Sequence, residues 1–174
     1  MVEVGILGKE DRVELIEGEI LEMSPIGNRH AACVDRAAVL LLPPLVGESI
    51  VRVRGPIRLG AYSKPQPDLI LLRYDRGFFA ARGPVTRDAH LVIEVSDSSI
   101  QYDRGPKLRV YARKGVQEVW IEDLTTDTLL VFRDPEGNTY RAQLALKPGE
   151  SVSPLAFPQL VLTVSSLLNL DHDI

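Results

Sequence analysis

Two short apolar runs stand out in the hydrophobic pattern of this chain, and each carries one carboxylate. Residues 69–72 and 91–95 are almost continuously apolar, which predicts strands that are covered on both faces of a sheet. Asp68 directly precedes the first run, and Glu94 lies inside the second. Because an ionised carboxylate is costly to bury without a partner, the pattern predicts a compensating cation near both acids.

The first third of the chain predicts a β-hairpin followed by a helix. Two apolar runs flank Glu17-Gly18, a dipeptide that favours a tight turn, so we expect a hairpin over 13–23. Alanine and leucine are frequent over 29–42, which predicts a helix. Pro43, directly after this segment, predicts where the helix ends.

The middle of the chain predicts a half-exposed ribbon and a long loop. Apolar and basic residues alternate at 50–54, and an apolar pattern resumes at 56–59 after a glycine, which indicates a strand with one face in solvent. The segment 75–89 has no sustained pattern, and we expect a loop there with a short helix at 78–81.

The last third predicts one further helix and several strands. Pro106 suits the first turn of a helix that ends before Gly115. The other expected elements are strands at 119–122 and 128–132, a turn at 134–138, an apolar run at 160–164 and a terminal helix at 165–170. Strands and helices therefore interleave around a mixed sheet, so the class is α/β or α+β. With no internal boundary visible, we expect one domain over 1–174.

Composition is ordinary for a soluble globular chain, at 45% hydrophobic and 25% charged residues. No apolar run approaches the roughly 18–20 residues of a membrane span, and the first residues show no secretory pattern. The single cysteine, Cys33, excludes an internal disulfide and a multi-cysteine zinc site, and its place in the first helix predicts a buried structural thiol. We therefore expect a cytoplasmic protein with no membrane partner.

Net charge gives no support for non-specific binding to nucleic acid, since 20 basic and 24 acidic residues leave −4. Basic residues nevertheless cluster in two segments. The first contains Arg52, Arg54 and Arg58, and the second contains Arg104, Lys107, Arg109, Arg113 and Lys114. Both clusters are also what a solvated strand and a solvated helix would show.

Asp68, Glu94 and Lys107 together form the pattern that carries chemistry. Mg²⁺ prefers oxygen ligands such as carboxylates, and acids on neighbouring strands would hold it on a rigid platform. A bound metal polarises a scissile phosphate and lowers the pKa of water, while a lysine stabilises the developing negative charge. The combination predicts metal-assisted hydrolysis of phosphodiester bonds.

Each of these residues alone also has an ordinary structural explanation. Asp68 can cap a turn, Glu94 can lie on a solvated strand face, and Lys107 can be a surface residue of a helix. Tyr111 follows Lys107 by four residues and so shares its helix face, where packing is the simpler role. The functional interpretation therefore depends on the ordered combination.

In that combination the chain resembles the Uma-type restriction endonucleases, a branch of the PD-(D/E)XK nuclease-like superfamily. The matching segments are, in order, 13–20, Met23-Ser24-Pro25, His30, Gln66-Pro67-Asp68, 93–99, 103–107, Tyr111 and 115–123. The resemblance covers nearly the whole chain and is most specific from 91 to 123. It implies a restriction-endonuclease-like α/β core, in which helices flank a mixed central β-sheet with added β-hairpins.

The same resemblance implies roles for particular residues. Asp68 and Glu94 would bind Mg²⁺, for which Mn²⁺ could substitute. Lys107 would replace the lysine that the wider superfamily carries two residues after the glutamate, where this chain has Ser96. His30 would lie near the phosphate or the water, or else pack at the start of its helix.

Three acids near the N-terminus are candidates for a further metal contact by resemblance. They are Glu14, Glu17 and Glu19. We favour Glu14 or Glu19, because Glu17 is expected in the hairpin turn. Relatives are often homodimers, so the resemblance also implies a homodimer.

Three hypotheses of function follow. The first is a Mg²⁺-dependent endonuclease that hydrolyses phosphodiester bonds of DNA, with Arg52, Arg54, Arg104 and Arg113 as candidate phosphate contacts. The second is a non-catalytic nucleic-acid-binding or regulatory module on a nuclease-derived scaffold, which the acidic net charge favours. The third is an enzyme that acts on a nucleotide or another small phosphate, although no glycine-rich phosphate loop is visible.

Overall fold

The computed structural model describes residues 13–23 and 25–170, which begin with a hairpin and a helix. Strand β1 (Val13–Ile16) pairs with β2 (Glu19–Glu22) across Glu17-Gly18, whose φ angles of 51° and 90° suit a tight hairpin turn. Helix α1 (Asn28–Leu41) is followed by a 3₁₀ turn, Pro43–Leu45. The predicted hairpin and helix are thus confirmed, while Ser24 lies outside the described residues.

A six-stranded mixed sheet forms the centre of the described residues. Its strands, in spatial order, are β3 (Ser49–Val53), β4 (Leu69–Arg73), β5 (Ala89–Ser96), β6 (Glu118–Asp123), β7 (Thr128–Glu136) and β8 (Thr139–Leu146). Strands β5 and β6 run parallel, and the other neighbouring pairs are antiparallel. The two apolar runs that flank the acids are β4 and part of β5, buried as predicted.

Two predictions about the strands and loops are wrong, and one predicted turn forms but is shorter. Residues 56–59 leave the sheet, and Ile57 and Leu59 instead bury their side chains in the core. No helix forms at 78–81, because Phe78 and Phe79 have φ angles of 51° and 59°, in the left-handed region. Strand β7 continues to Glu136, so the turn predicted at 134–138 is shorter.

The helix predicted to begin at Pro106 begins earlier, so that prediction is also wrong. Helix α2 (Ile100–Tyr102), a π-helical turn (Asp103–Lys107) and α3 (Leu108–Arg113) follow one another directly. Pro106 lies inside this segment, where it lacks the N–H of a normal helical residue and its ring would clash with the preceding turn. The wider π-helical turn accommodates that proline and places Lys107 in the interior.

The C-terminal part supplies a small sheet and a short helix. Strand β9 (Ser151–Val152) pairs with β10 (Leu162–Thr163), and α4 (Val164–Leu167) follows. The apolar run and the terminal helix occur where they were predicted, although both are shorter. No helix in the described part of the chain is long and apolar enough to cross a membrane.

The hydrophobic core lies on both faces of the sheet. One face packs Leu91 and Trp120 against α1 and α4, and the other packs Val92 and Ile121 against α3. Cys33 is completely buried in the first of these layers, and burial raises the pKa of its thiol to about 12. The prediction of a structural thiol at this position is confirmed.

Candidate active site

A cavity of about 380 Å³ opens where the hairpin, the start of α1 and the end of β5 meet. Its wall contains all four of the site residues that the sequence predicts: His30, Asp68, Glu94 and Lys107. They come from a helix start, the residue before a strand, a strand interior and a π-helical turn. The fold therefore brings together side chains that are far apart in the sequence.

Asp68 is held in place from two sides. Its Oδ1 lies 2.9 Å from Nε2 of His30, and its Oδ2 accepts a hydrogen bond of 2.9 Å from the backbone N–H of Val95. Since Val95 directly follows Glu94, the Asp68 carboxylate lies beside the peptide that carries the second acid. His30 thus contacts an acid of the predicted site, instead of only packing at the start of its helix.

Glu94 is almost completely buried and has two partners on one oxygen. Its Oε1 accepts a hydrogen bond of 2.6 Å from the Tyr111 hydroxyl and lies 3.0 Å from Nζ of Lys107. Among the described residues, no hydrogen bond reaches the other oxygen, Oε2. Lys107 is therefore a buried ion-pair partner, and Tyr111 contacts the same carboxylate besides packing on the helix.

Lys107 also contacts two further acids. Its Nζ lies 3.2 Å from Oε2 of Glu14 and 3.7 Å from Oδ1 of Asp103. Glu14 therefore reaches the site, whereas Glu19 is exposed and Glu17 pairs with an arginine of α3.

Sequence reasoning missed Asp103 as a member of this cluster. Its Oδ2 accepts hydrogen bonds from the hydroxyls of Ser96, at 2.7 Å, and Ser99, at 2.6 Å. Ser96 occupies the position two residues after the glutamate. The available signal was the spacing of four residues between Asp103 and Lys107, which places two side chains on one helical face.

Acidic side chains outnumber cationic ones in the wall of the cavity. The acids that line it include Asp68, Glu94, Glu14 and Asp103, and the last three contact the ammonium group of Lys107. Burial raises the pKa of Glu94 to about 8, although the charge of Lys107 opposes this. Burial alone would lower the pKa of Lys107, but the neighbouring carboxylates outweigh it, so that its pKa lies above the usual range and the ammonium stays charged.

One protein-family model, described as "Uma2: Putative restriction endonuclease", matches residues 3–165 of the chain. The chain belongs to the Uma2 family. The resemblance seen in the sequence motifs is thus confirmed. A comparison with curated protein sequences finds no match.

One solved structure shows the same fold. The chain is similar to a crystal structure titled "a putative nuclease belonging to DUF820" from Anabaena variabilis, with 18% sequence identity and a TM-score of 0.76. That match covers 96% of this chain and 95% of the other. It confirms the predicted fold class, a mixed central sheet flanked by helices with extra hairpins.

A second solved structure is the type IIG restriction endonuclease BpuSI. The identity is 17%, the TM-score is 0.45, and the match covers 84% of this chain but 16% of BpuSI.

The donor set of this Uma2 protein fits a divalent cation of the Mg²⁺ class. Within residues 13–23 and 25–170, no group of three His, Cys, Asp or Glu side chains is arranged to hold a metal. Mg²⁺ does not require such a cage, because it keeps several waters and commonly uses one or two carboxylates together with substrate phosphates. Asp68 and Glu94 supply two such side chains, and three acids around the single Lys107 ammonium suit a further cation.

The four arginines predicted as phosphate contacts differ in their surroundings. Arg113 pairs with Glu17 and donates a hydrogen bond of 2.7 Å to Asn138, so its charge is already engaged. Arg52, Arg54 and Arg104 form no ion pair among the described residues.

Proposed function

We propose that this Uma2 protein is a Mg²⁺-dependent endonuclease that hydrolyses phosphodiester bonds of DNA. The observation that carries the proposal is the convergence of Asp68, Glu94 and Lys107 on one cavity. The family description and the printed title of the Anabaena variabilis structure name activities of the same class. Mn²⁺ is the natural substitute for Mg²⁺ at a site of carboxylates and water.

Asp68 and Glu94 would hold the cation. When bound, the cation would polarise the scissile phosphate and lower the pKa of a bound water. His30 orients the Asp68 carboxylate through Oδ1, and the Val95 N–H orients it through Oδ2. Both contacts fix the direction in which this acid presents its oxygens to the cavity.

Lys107 holds Glu94 and Glu14 in place through its ammonium group. Its ammonium also adds a positive charge at the cavity wall, where it would stabilise negative charge that develops on the phosphoryl group. Tyr111 holds Glu94 from the helix side, so that one carboxylate oxygen is fixed and the other stays available.

The test is cleavage of supercoiled plasmid DNA with Mg²⁺, with Mn²⁺ and with EDTA. We expect cleavage by the wild-type protein only with a divalent ion, and a loss of at least about 100-fold in Glu94→Gln and Asp68→Asn. Glu48→Gln, which alters an exposed acid outside the cavity, is the matched control and should cleave normally.

Two results would overturn the proposal. One is full activity of Glu94→Gln, which would remove Glu94 from the chemistry. The other is a wild-type protein that binds DNA but cleaves it with neither ion, which would favour the non-catalytic module.

Two properties accompany the proposal. A homodimer is expected from the resemblance to Uma-type proteins, and light scattering coupled to gel filtration would test it. A cytoplasmic location is expected from the usage of cysteine, and fractionation of cells that produce the tagged protein would test it.

A further inference from the structure

The loop between β4 and β5 presents one phenylalanine to solvent and buries the next. Phe78 is 62% exposed, whereas Phe79 is 6% exposed and packs in the core. Both residues have left-handed φ angles, of 51° and 59°, which L-residues with large side chains adopt at a cost. Such strain persists only where the surroundings impose it, and it is concentrated at functional positions.

Two hydrogen bonds to Asp75 and one from Arg52 fix this loop. The Phe78 N–H donates to the Asp75 carbonyl at 3.0 Å, and the Phe79 N–H donates to Oδ1 of Asp75 at 2.8 Å. Nη2 of Arg52 donates to the Phe78 carbonyl at 3.0 Å. Phe78 is therefore held outward by a structured backbone.

Arg52 lies along the loop with its charge available. Its guanidinium carbon is 5.9 Å from the Phe79 ring centroid, and it forms no ion pair among the described residues. A Cβ atom at Gly55 would come within 2.3 Å of Cδ of Arg52, so a glycine is required there for this conformation. Arg82 differs, because it pairs with Asp88 through two hydrogen bonds.

The loop belongs to a basic part of an acidic chain. Residues 50–88 contain eight basic and three acidic residues, whereas the whole chain has a net charge of −4. Arg54, Arg58 and Arg76 are exposed there and form no ion pair within the described residues. This segment is therefore locally basic and complements a polyanion, although the net charge of the whole chain is negative.

The same segment contains Gln66 and Asp68, which line the cavity. The backbone N–H of Arg54 donates to the Asp68 carbonyl at 2.8 Å, so the end of β3 lies directly against the acid. Arg52 is two residues away, about 7 Å along the strand, and reaches Phe78 with its side chain. A strand of nucleic acid bound at the cavity could therefore extend over Arg52 to Phe78.

We infer that Arg52, Arg76 and Phe78 form a contact surface for an unpaired stretch of DNA, the Phe78 patch. Phe78 stacks on an unpaired base, and the two arginines contact the adjoining phosphates. The inference rests on the proposed nuclease function and deepens it, since it makes single-stranded or locally unpaired DNA the preferred substrate. An exposed aromatic ring flanked by unpaired arginines suits that form of DNA better than a closed duplex, whose bases are stacked internally.

The test is fluorescence anisotropy with a labelled 20-nucleotide single strand and with the matching duplex, both in EDTA. We expect the wild-type protein to bind the single strand more tightly. Phe78→Ala should weaken single-strand binding by about 5- to 100-fold and duplex binding by less than about twofold. Phe78→Trp should retain the single-strand affinity. Leu155→Ala, which truncates another exposed apolar side chain, is the matched control.

Two further variants separate binding from folding. Phe78→Gly should lose the same affinity but raise the melting temperature, because glycine adopts a positive φ without strain. Arg76→Gln should weaken the binding of both the single strand and the duplex. It should also lower the magnitude of the slope of log K against log salt concentration by about 1.

Binding in EDTA does not depend on cleavage, so the two proposals fail separately. Equal single-strand affinity in wild type and Phe78→Ala would overturn the proposal that the Phe78 patch binds DNA, even if the wild-type protein cleaves plasmid DNA. An altered oligomeric state in Phe78→Ala, with unchanged DNA affinity, would likewise overturn it by assigning the surface to a second copy of the chain. Loss of cleavage in all conditions, with the Phe78 effect intact, would overturn only the nuclease proposal.

Discussion

Two buried glutamates on adjacent parallel strands have opposite surroundings. Glu94 on β5 has Lys107 and Tyr111 as partners, whereas neither carboxyl oxygen of Glu122 on β6 has a hydrogen-bond partner among the described residues. The register pairs Glu94 with Ile121 and Val95 with Glu122, so the two acids point to opposite faces of the sheet. Burial raises the pKa of Glu122 far above its usual range, and the charge of Asp68 adds to the effect.

The difference shows what marks a site in this fold. Both acids are inside apolar strand segments, and both are nine-tenths buried or more. On the face that carries the cavity, the fold supplies a cation and a hydroxyl to Glu94. On the face covered by α1, Glu122 has neither partner, and its burial raises its pKa well above the usual value. The partners, not burial alone, therefore distinguish the candidate functional acid.

The largest expected effect comes from removing the cation that Glu94 has and Glu122 lacks. Lys107→Met should lower the free energy of unfolding by about 3–5 kcal/mol, because Glu94 and Glu14 would be left as uncompensated buried acids. Mg²⁺ should restore part of this loss. Urea denaturation measures both effects, and Lys114→Met at the exposed end of α3 is the control.

A stability change below about 1 kcal/mol in Lys107→Met would contradict this view of the buried ion pair. In that case Lys107 would not compensate the acids of the cavity. If the variant folds with Mg²⁺, its turnover on plasmid DNA should fall more than its affinity for the metal.

Removing the unpartnered acid should have the opposite sign. Glu122→Leu should raise the free energy of unfolding by about 2–3 kcal/mol at pH 7, because it replaces a buried polar group without a partner by an apolar one. Calorimetry or urea denaturation measures the gain. A loss of stability in this variant would show that Glu122 has a favourable partner.

The gain from Glu122→Leu should depend on pH. The pKa of Glu122 is raised in the folded protein, so between its unfolded value and its folded value the native state holds more protons than the unfolded state. Wild-type stability therefore falls as pH rises above about 4.5, by up to about 1.4 kcal/mol per pH unit for one such group. The advantage of Glu122→Leu should therefore be smaller at pH 5 than at pH 7.

A constant advantage across this range would contradict the raised pKa of Glu122. Denaturation at pH 5, 6 and 7 is sufficient, and Glu48→Gln should show the pH dependence of the wild type.

The smallest expected effect comes from removing the Tyr111 hydroxyl, which donates a hydrogen bond to Glu94. Tyr111→Phe should lower the free energy of unfolding by about 1–2 kcal/mol, because the lost hydrogen bond joins a buried hydroxyl to a carboxyl group. Tyr140→Phe, which loses a buried hydrogen bond to a neutral backbone carbonyl, is a matched control and should cost less. Equal losses of unfolding free energy in the two variants would mean that the hydrogen bond from Tyr111 to Glu94 is no stronger than one to a neutral carbonyl.

Parts of this arrangement could be predicted from the sequence. The apolar runs around Asp68 and Glu94 predicted the central strands, because burial on both faces leaves a continuous apolar pattern. The exposed edge strand β8 was missed because most of its side chains face solvent and form no such run. Pro106 gave a wrong helix start, since a π-helical turn accommodates proline where a regular α-helix would not.

The partners of the acids were harder to predict from the sequence than the acids themselves. Glu94 and Glu122 occupy similar apolar segments, so the sequence pattern alone does not separate them. Hydrogen bonds to Asp103, and the contact of Glu14 with Lys107, join residues whose distance is set by tertiary packing. The assignment of one domain to the whole chain stays a prediction.

The central claim is that Asp68 and Glu94 share one divalent cation, and Mn²⁺ titration followed by electron paramagnetic resonance tests it most directly. The account predicts one Mn²⁺ site per chain in the wild type and in Glu122→Leu, with the site lost in Asp68→Asn and in Glu94→Gln. Mn²⁺ binding that is unchanged in both of the latter variants would contradict the account.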